Sequence, residues 1–112
     1  MRKLFLSLAI LLFIAGQSVA LTTVTVLENT VSATQSDMFK AGNGESVTVI
    51  FTGTVGSGET ADIQVTPDGG TTWVSDSRQL TDTELVLVII GPGQFQVDKS
   101  ATASAAGITI TR

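Results

Sequence analysis

Along most of the chain apolar and polar residues alternate with a period of two, the spacing of a strand with one wet face. Leu21-Thr22-Thr23-Val24-Thr25-Val26-Leu27 sets Thr23 and Thr25 against Val24 and Val26, and Ser46 to Thr52 puts Val47, Val49 and Phe51 on one face. Ala61 to Thr66 alternates Ile63 and Val65 with Asp62 and Gln64. Thr71 to Ser75 is β-branched and aromatic, Gln94 to Asp98 turns Phe95 and Val97 inward, and Gly107 to Arg112 closes the chain around Ile108 and Ile110. Glycine, asparagine, proline and serine interrupt these runs at 41–44, 53–59 and 91–93, where the backbone can reverse. Glu28 to Asp37 reads either as a loose continuation of the first strand or as an edge segment, Met38-Phe39 as a short turn onto the core, Asp76 to Glu84 as a polar connection, and Lys99 to Ala106 as a loop. About seven strands at near-even spacing predict an all-β fold: a single antiparallel β-sandwich of Ig-like or jelly-roll type.

The clearest local signal is Thr66-Pro67-Asp68-Gly69-Gly70-Thr71-Thr72-Trp73. Pro67 sets φ for a turn, Asp68 accepts from amides just downstream, and Gly69 and Gly70 take positive φ without penalty. Two alternating runs flank this stretch, so it predicts a β-hairpin. Trp73, the only tryptophan, is expected to anchor the core, because an indole buries on the order of 200 Å².

Leu85-Val86-Leu87-Val88-Ile89-Ile90 departs from the alternation. Six consecutive apolar residues cannot all face one side of a sheet. Either both faces of this strand are covered, or one is offered to a partner, which makes Leu85 to Ile90 the candidate interface.

The first 20 residues differ from the rest. Arg2 and Lys3 precede an apolar run, Leu4 to Ala15, and Gly16-Gln17-Ser18-Val19-Ala20 supplies small residues before a cut at Leu21. That order is a hydrophobic signal helix followed by a cleavage site, and the run is shorter than the roughly 20 residues of a spanning helix. The expected organisation is a signal peptide over 1–20, or an N-terminal membrane anchor if it is not cut, and a sandwich domain over 21–112. The product is exported: periplasmic, secreted, or associated with a cell or virion surface. With no cysteine in the chain, a lipid-anchored cysteine and a disulfide framework are both excluded.

Beyond residue 20, Lys40, Arg78, Lys99 and Arg112 stand against ten acids, a net charge of −6. Such a surface repels nucleic acid and anionic lipid, so no nucleic-acid partner is expected, and membrane contact only through residues 1–20. The absence of histidine and cysteine excludes Ser-His-Asp and Cys-His catalysis and thiolate or imidazole metal sites. Asp82 and Glu84, two apart, are the nearest pair for glycosidase-like carboxylates or calcium. Asp68, Asp76, Asp82 and Glu84 would have to converge to bind that ion, without any EF-hand spacing to bring them together. They read as solvated loop acids, so no catalytic residue, cofactor or metal is assigned. An exposed Trp73 would suit a glycan platform.

Two resemblances rest on these residues. Thr66, Asp68, Gly70, Thr72 and Trp73 fall at the spacing of the Asp-box of sialidases and other β-propellers, itself a hairpin-turn device; 92 residues are too few for a propeller. More broadly, Thr22 to Val26, Val47 to Gly53, Thr66 to Trp73, Pro92 to Val97 and Gly107 to Thr111 follow the order of features in small phage virion β-sandwich proteins, of the head-decoration or head-fibre kind. That resemblance implies a non-enzymatic structural subunit that binds copies of itself or other virion or surface proteins. The leader is a departure, since decoration proteins generally need none. A secreted carbohydrate-binding-like module is the alternative expectation.

Overall fold

The computed structural model describes residues 21–112; the expected signal helix and cleavage site lie outside them. Nine strands follow in order: β1 (Thr23–Thr30), β2 (Thr34–Gln35), β3 (Phe39–Ala41), β4 (Ser46–Gly53), β5 (Thr60–Val65), β6 (Val74–Thr81), β7 (Val86–Ile90), β8 (Gly93–Lys99) and β9 (Ala106–Thr111). They form two antiparallel sheets, one in the order β1-β9-β4-β7 and the other β2-β8-β5-β6, with β3 also on β8. No helix occurs among the described residues.

The alternation decides which side chains meet between the sheets. Val47, Val49, Phe51, Ile89, Ile108 and Ile110 come inward from the first sheet; Phe39, Ile63, Leu80, Phe95 and Val97 come from the second, and all join one buried cluster. Each contributes on the order of 2 kcal/mol by leaving water. Phe39 and Phe95, opposite each other on β3 and β8, stack with ring centroids 6.0 Å apart.

Four expectations need correction. Two short strands, β2 and β3, raise the count from about seven to nine: β8 pairs with residues 34–35 and again with 39–41, where the sequence offers little alternation. The strand placed over Thr71 to Ser75 starts later and runs on to Thr81, through the segment read as a connection. Polar residues are tolerated there because β6 is an edge strand, with Leu80 its only fully buried side chain. Lys99, assigned to a loop, is the last residue of β8.

Trp73 is the fourth. The indole is half-buried and outside the core cluster, because the hairpin turn extends through residue 73 and delivers the ring to the rim before β6 begins. The ring packs near Gly70, whose added Cβ would come within 4.0 Å of it.

Candidate functional site

The hairpin predicted from Thr66 to Trp73 joins β5 to β6, with Val65 opposite Val74. Thr66 is buried at its base, while Asp68, Gly69, Gly70 and Thr72 are exposed. Asp68 Oδ1 accepts from Thr72 N–H at 2.8 Å, Thr71 N–H at 3.1 Å and Thr66 Oγ1 at 2.9 Å, and Thr66 Oγ1 accepts from Gly70 N–H at 2.8 Å. Gly69 and Gly70 take φ of 77° and 109°, which an L side chain rarely adopts. The Thr72 amide foremost, with the other donors, holds the Asp68 carboxyl below its ordinary range. The carboxylate is spent on its own turn, so this part of the candidate set shapes the backbone.

Leu85 to Ile90 has a different setting. β7 is the outer strand of the first sheet, beside β4 in the register Ser46↔Ile90 to Ile50↔Val86. Ile89 is fully buried and Leu87 packs against the core. On the other face Val86, Val88 and Ile90 are 50%, 51% and 66% exposed, and Leu85 just before them 40%. One whole face of the apolar run, Val86, Val88 and Ile90, therefore meets water, with Leu85 exposed at its start. Phe51 N–H donates to Leu85 O at 2.8 Å and Gly91 N–H to Glu45 O at 2.9 Å, so odd-numbered residues of β7 bond to β4. By the antiparallel alternation the amides and carbonyls of Val86, Val88 and Ile90 point to the open edge. One of these has a partner: Arg78 Nη1 donates to Val88 O at 3.2 Å. Its guanidinium is anchored by Asp76 at 2.6 and 2.8 Å, which lowers the Asp76 carboxyl and raises Arg78.

The acids weighed for calcium or hydrolysis fall at three separate places along the chain. Asp82 and Glu84 are exposed in the β6–β7 turn, Asp68 is engaged in its hairpin and Asp76 with Arg78. Among the described residues no three His, Cys, Asp or Glu side chains gather as a metal-binding group.

Two features have no counterpart in the sequence reading. A groove of about 360 Å³ opens between the sheets, with Val24, Val26, Phe39 and Ile110 as its apolar lining and Lys40 and Arg112 at its margin. Its walls come from strands far apart in the chain, so no local motif announces it. Lys99 is 1% exposed, and its Nζ donates to Ser32 O at 2.8 Å, Ser100 O at 2.9 Å and Thr102 Oγ1 at 3.2 Å. Burial lowers its pKa, against the opposing pull of Glu59.

In class the chain is a two-sheet antiparallel β protein with one apolar strand left at an open edge. It is similar in fold to the SPBc2 prophage-derived protein YomS, with a TM-score of 0.63 over 82% of this chain and 91% of that one, at 14% identity. Identity at that level shows shared fold alone. No family model and no curated protein matches the sequence.

Proposed function

We propose that this protein is a non-enzymatic structural subunit that works by assembly on a virion or cell surface. The observation that carries this reading is β7: three large aliphatic side chains and an open hydrogen-bonding edge on one five-residue strand. Exposed, flat, apolar edges template association with another strand. The strand order adds support. With β2 and β3 taken as one interrupted strand on β8, eight strands fall into two four-stranded sheets in the connection pattern of a jelly roll, an architecture used by capsid and lectin domains alike. The prophage origin of the similarly folded protein favours the virion side of that pair. The leader read over 1–20 makes the product exported, with partners that are copies of itself or other virion or surface proteins.

Intact mass with size-exclusion light scattering on protein exported from a bacterial host tests the proposal. A mass beginning at Leu21 and a defined oligomer are expected. A cleaved monomer whose tryptophan emission shifts on adding a sugar would replace the proposal with the alternative, a secreted glycan-binding module. The half-buried Trp73 is the observation that keeps that second reading in view.

A further inference from the structure

The two sheets expose four edges, and three carry devices that discourage pairing. β1 is interrupted by register shifts after Thr25 and Leu27, and its edge is occupied where Asp37 N–H donates to Val26 O at 2.8 Å. β2 and β3 are two and three residues long. β6 has a register irregularity opposite Asp62 and Gln64, Ser77 in the left-handed region at φ 79°, and the Asp76–Arg78 ion pair. Short strands, bulges and charges are the usual means of blunting an edge. β7 has none of these within Val86–Ile90, and its register with β4 is unbroken. Its one cap is the Arg78 guanidinium on Val88 O.

We infer that the β7 edge receives the β7 of a second copy, antiparallel, about a twofold axis through Val88. This rests on the assembly reading above and names its partner and register. Three properties favour a second copy. The outward backbone groups belong to Val86, Val88 and Ile90, a set symmetric about Val88, so a twofold at that residue brings Val88 to Val88, Val86 to Ile90 and every outward amide to a carbonyl. The side chains on these positions are aliphatic and exposed, and cross-strand pairs of this kind are favourable. Charge is the third. Two copies at −6 each repel, yet residues 85–97 carry no charge, and in this register Glu84 lies opposite Pro92 of the other copy. Acid does not meet acid along the seam. Pairing replaces the Arg78 contact on Val88 O with the partner's amide, so Arg78 acts as a cap on the free monomer. A five-residue strand spans about 17 Å. The seam alone falls short of the roughly 800 Å² per partner of a standard interface, so the pair forms at high local concentration.

A single introduced thiol reads the register, because the chain has no cysteine of its own. Val88→Cys and, as control on the exposed β6, Val74→Cys are oxidised with copper phenanthroline at graded concentration, alongside light scattering of wild type, Val88→Lys and Arg78→Ala. Expected are a disulfide dimer from Val88→Cys and none from Val74→Cys, association weakened about tenfold or more by Val88→Lys through like charges at the axis, and association strengthened by Arg78→Ala. Circular dichroism of each variant confirms that the fold is retained. A wild-type oligomer that survives Val88→Lys while Val88→Cys stays uncrosslinked would overturn the inference and leave the assembly reading standing. A wild type monomeric at millimolar concentration overturns it too. A different chain found on β7 in the native particle would then preserve assembly, and no partner there would end both.

Discussion

Thr66 Oγ1 both donates to Asp68 and accepts from Gly70 N–H, inside a buried position at the foot of the hairpin. Thr66→Val keeps the shape and removes the hydroxyl, leaving the Gly70 amide without its partner. The expected loss is about 1–2 kcal/mol in urea unfolding. Three carboxyls are held below the usual range: Glu59 foremost by the Gly56 amide, Asp68 foremost by the Thr72 amide and Asp76 foremost by the Arg78 side chain. A folded-state pKa below the unfolded one adds stability that is present above the ordinary carboxylate range and lost as pH falls through the lowered values. The urea midpoint should therefore hold from pH 7 to 5 and drop below about pH 4. Asp68→Asn should shrink that drop; an unchanged acid limb would rule out the hairpin carboxylate as a contributor. Lys99 shows the other side of residue-scale reading. It looks like a loop lysine in sequence; Ser100 and Thr102 beside it supply two of its oxygens, and only the return of residues 30–34 beside 99–102 brings the third, Ser32 O.

At the scale of elements, β7 is two strands in one. Its inner face is core and its outer face is surface, although all five residues are aliphatic. Ile89→Ala should cost about 2–5 kcal/mol in denaturant unfolding, since a fully buried side chain leaves a cavity. Val88→Thr, one residue earlier, should stay within about 0.5 kcal/mol in the same measurement and weaken association instead. Equal losses at both sites would show that the outer face is covered within the monomer. The run Leu85 to Ile90 was conspicuous by its uniform apolarity, but its edge position was not, because strand order depends on partners distant in sequence. β6 was hidden for the opposite reason: Asp76 to Gln79 look like a linker, and pairing with β5 makes them part of a strand despite their polarity.

For the whole molecule, the central strands are hydrogen-bonded on both sides and the outer ones on one. β4 lies between β9 and β7, and β8 between β5 and the short pair β2 and β3. Hydrogen exchange should leave the amides that join two central strands, those of Ile50, Thr109, Gln64 and Gln96, protected longest, with β2, β3 and the outward amides of β7 exchanging early. Early exchange of β4 together with β7 would mean that the first sheet opens as a unit. Raising the protein concentration should slow β7 selectively.

Alternation, turn chemistry and charge determined the fold class and the hairpin at Asp68, because each is set by the period of a strand or by neighbours within a few residues. They also marked Leu85 to Ile90 as unusual. What only the tertiary structure decided is position: that Trp73 falls at a rim while Phe39 and Phe95 join the core, that Lys99 is buried, that a groove opens between β1 and β3, and that β7 lies at an edge. The physical reason is common to all four. Burial and edge exposure are properties of which distant strands pair, and a period of two says which way a side chain points without saying what it meets.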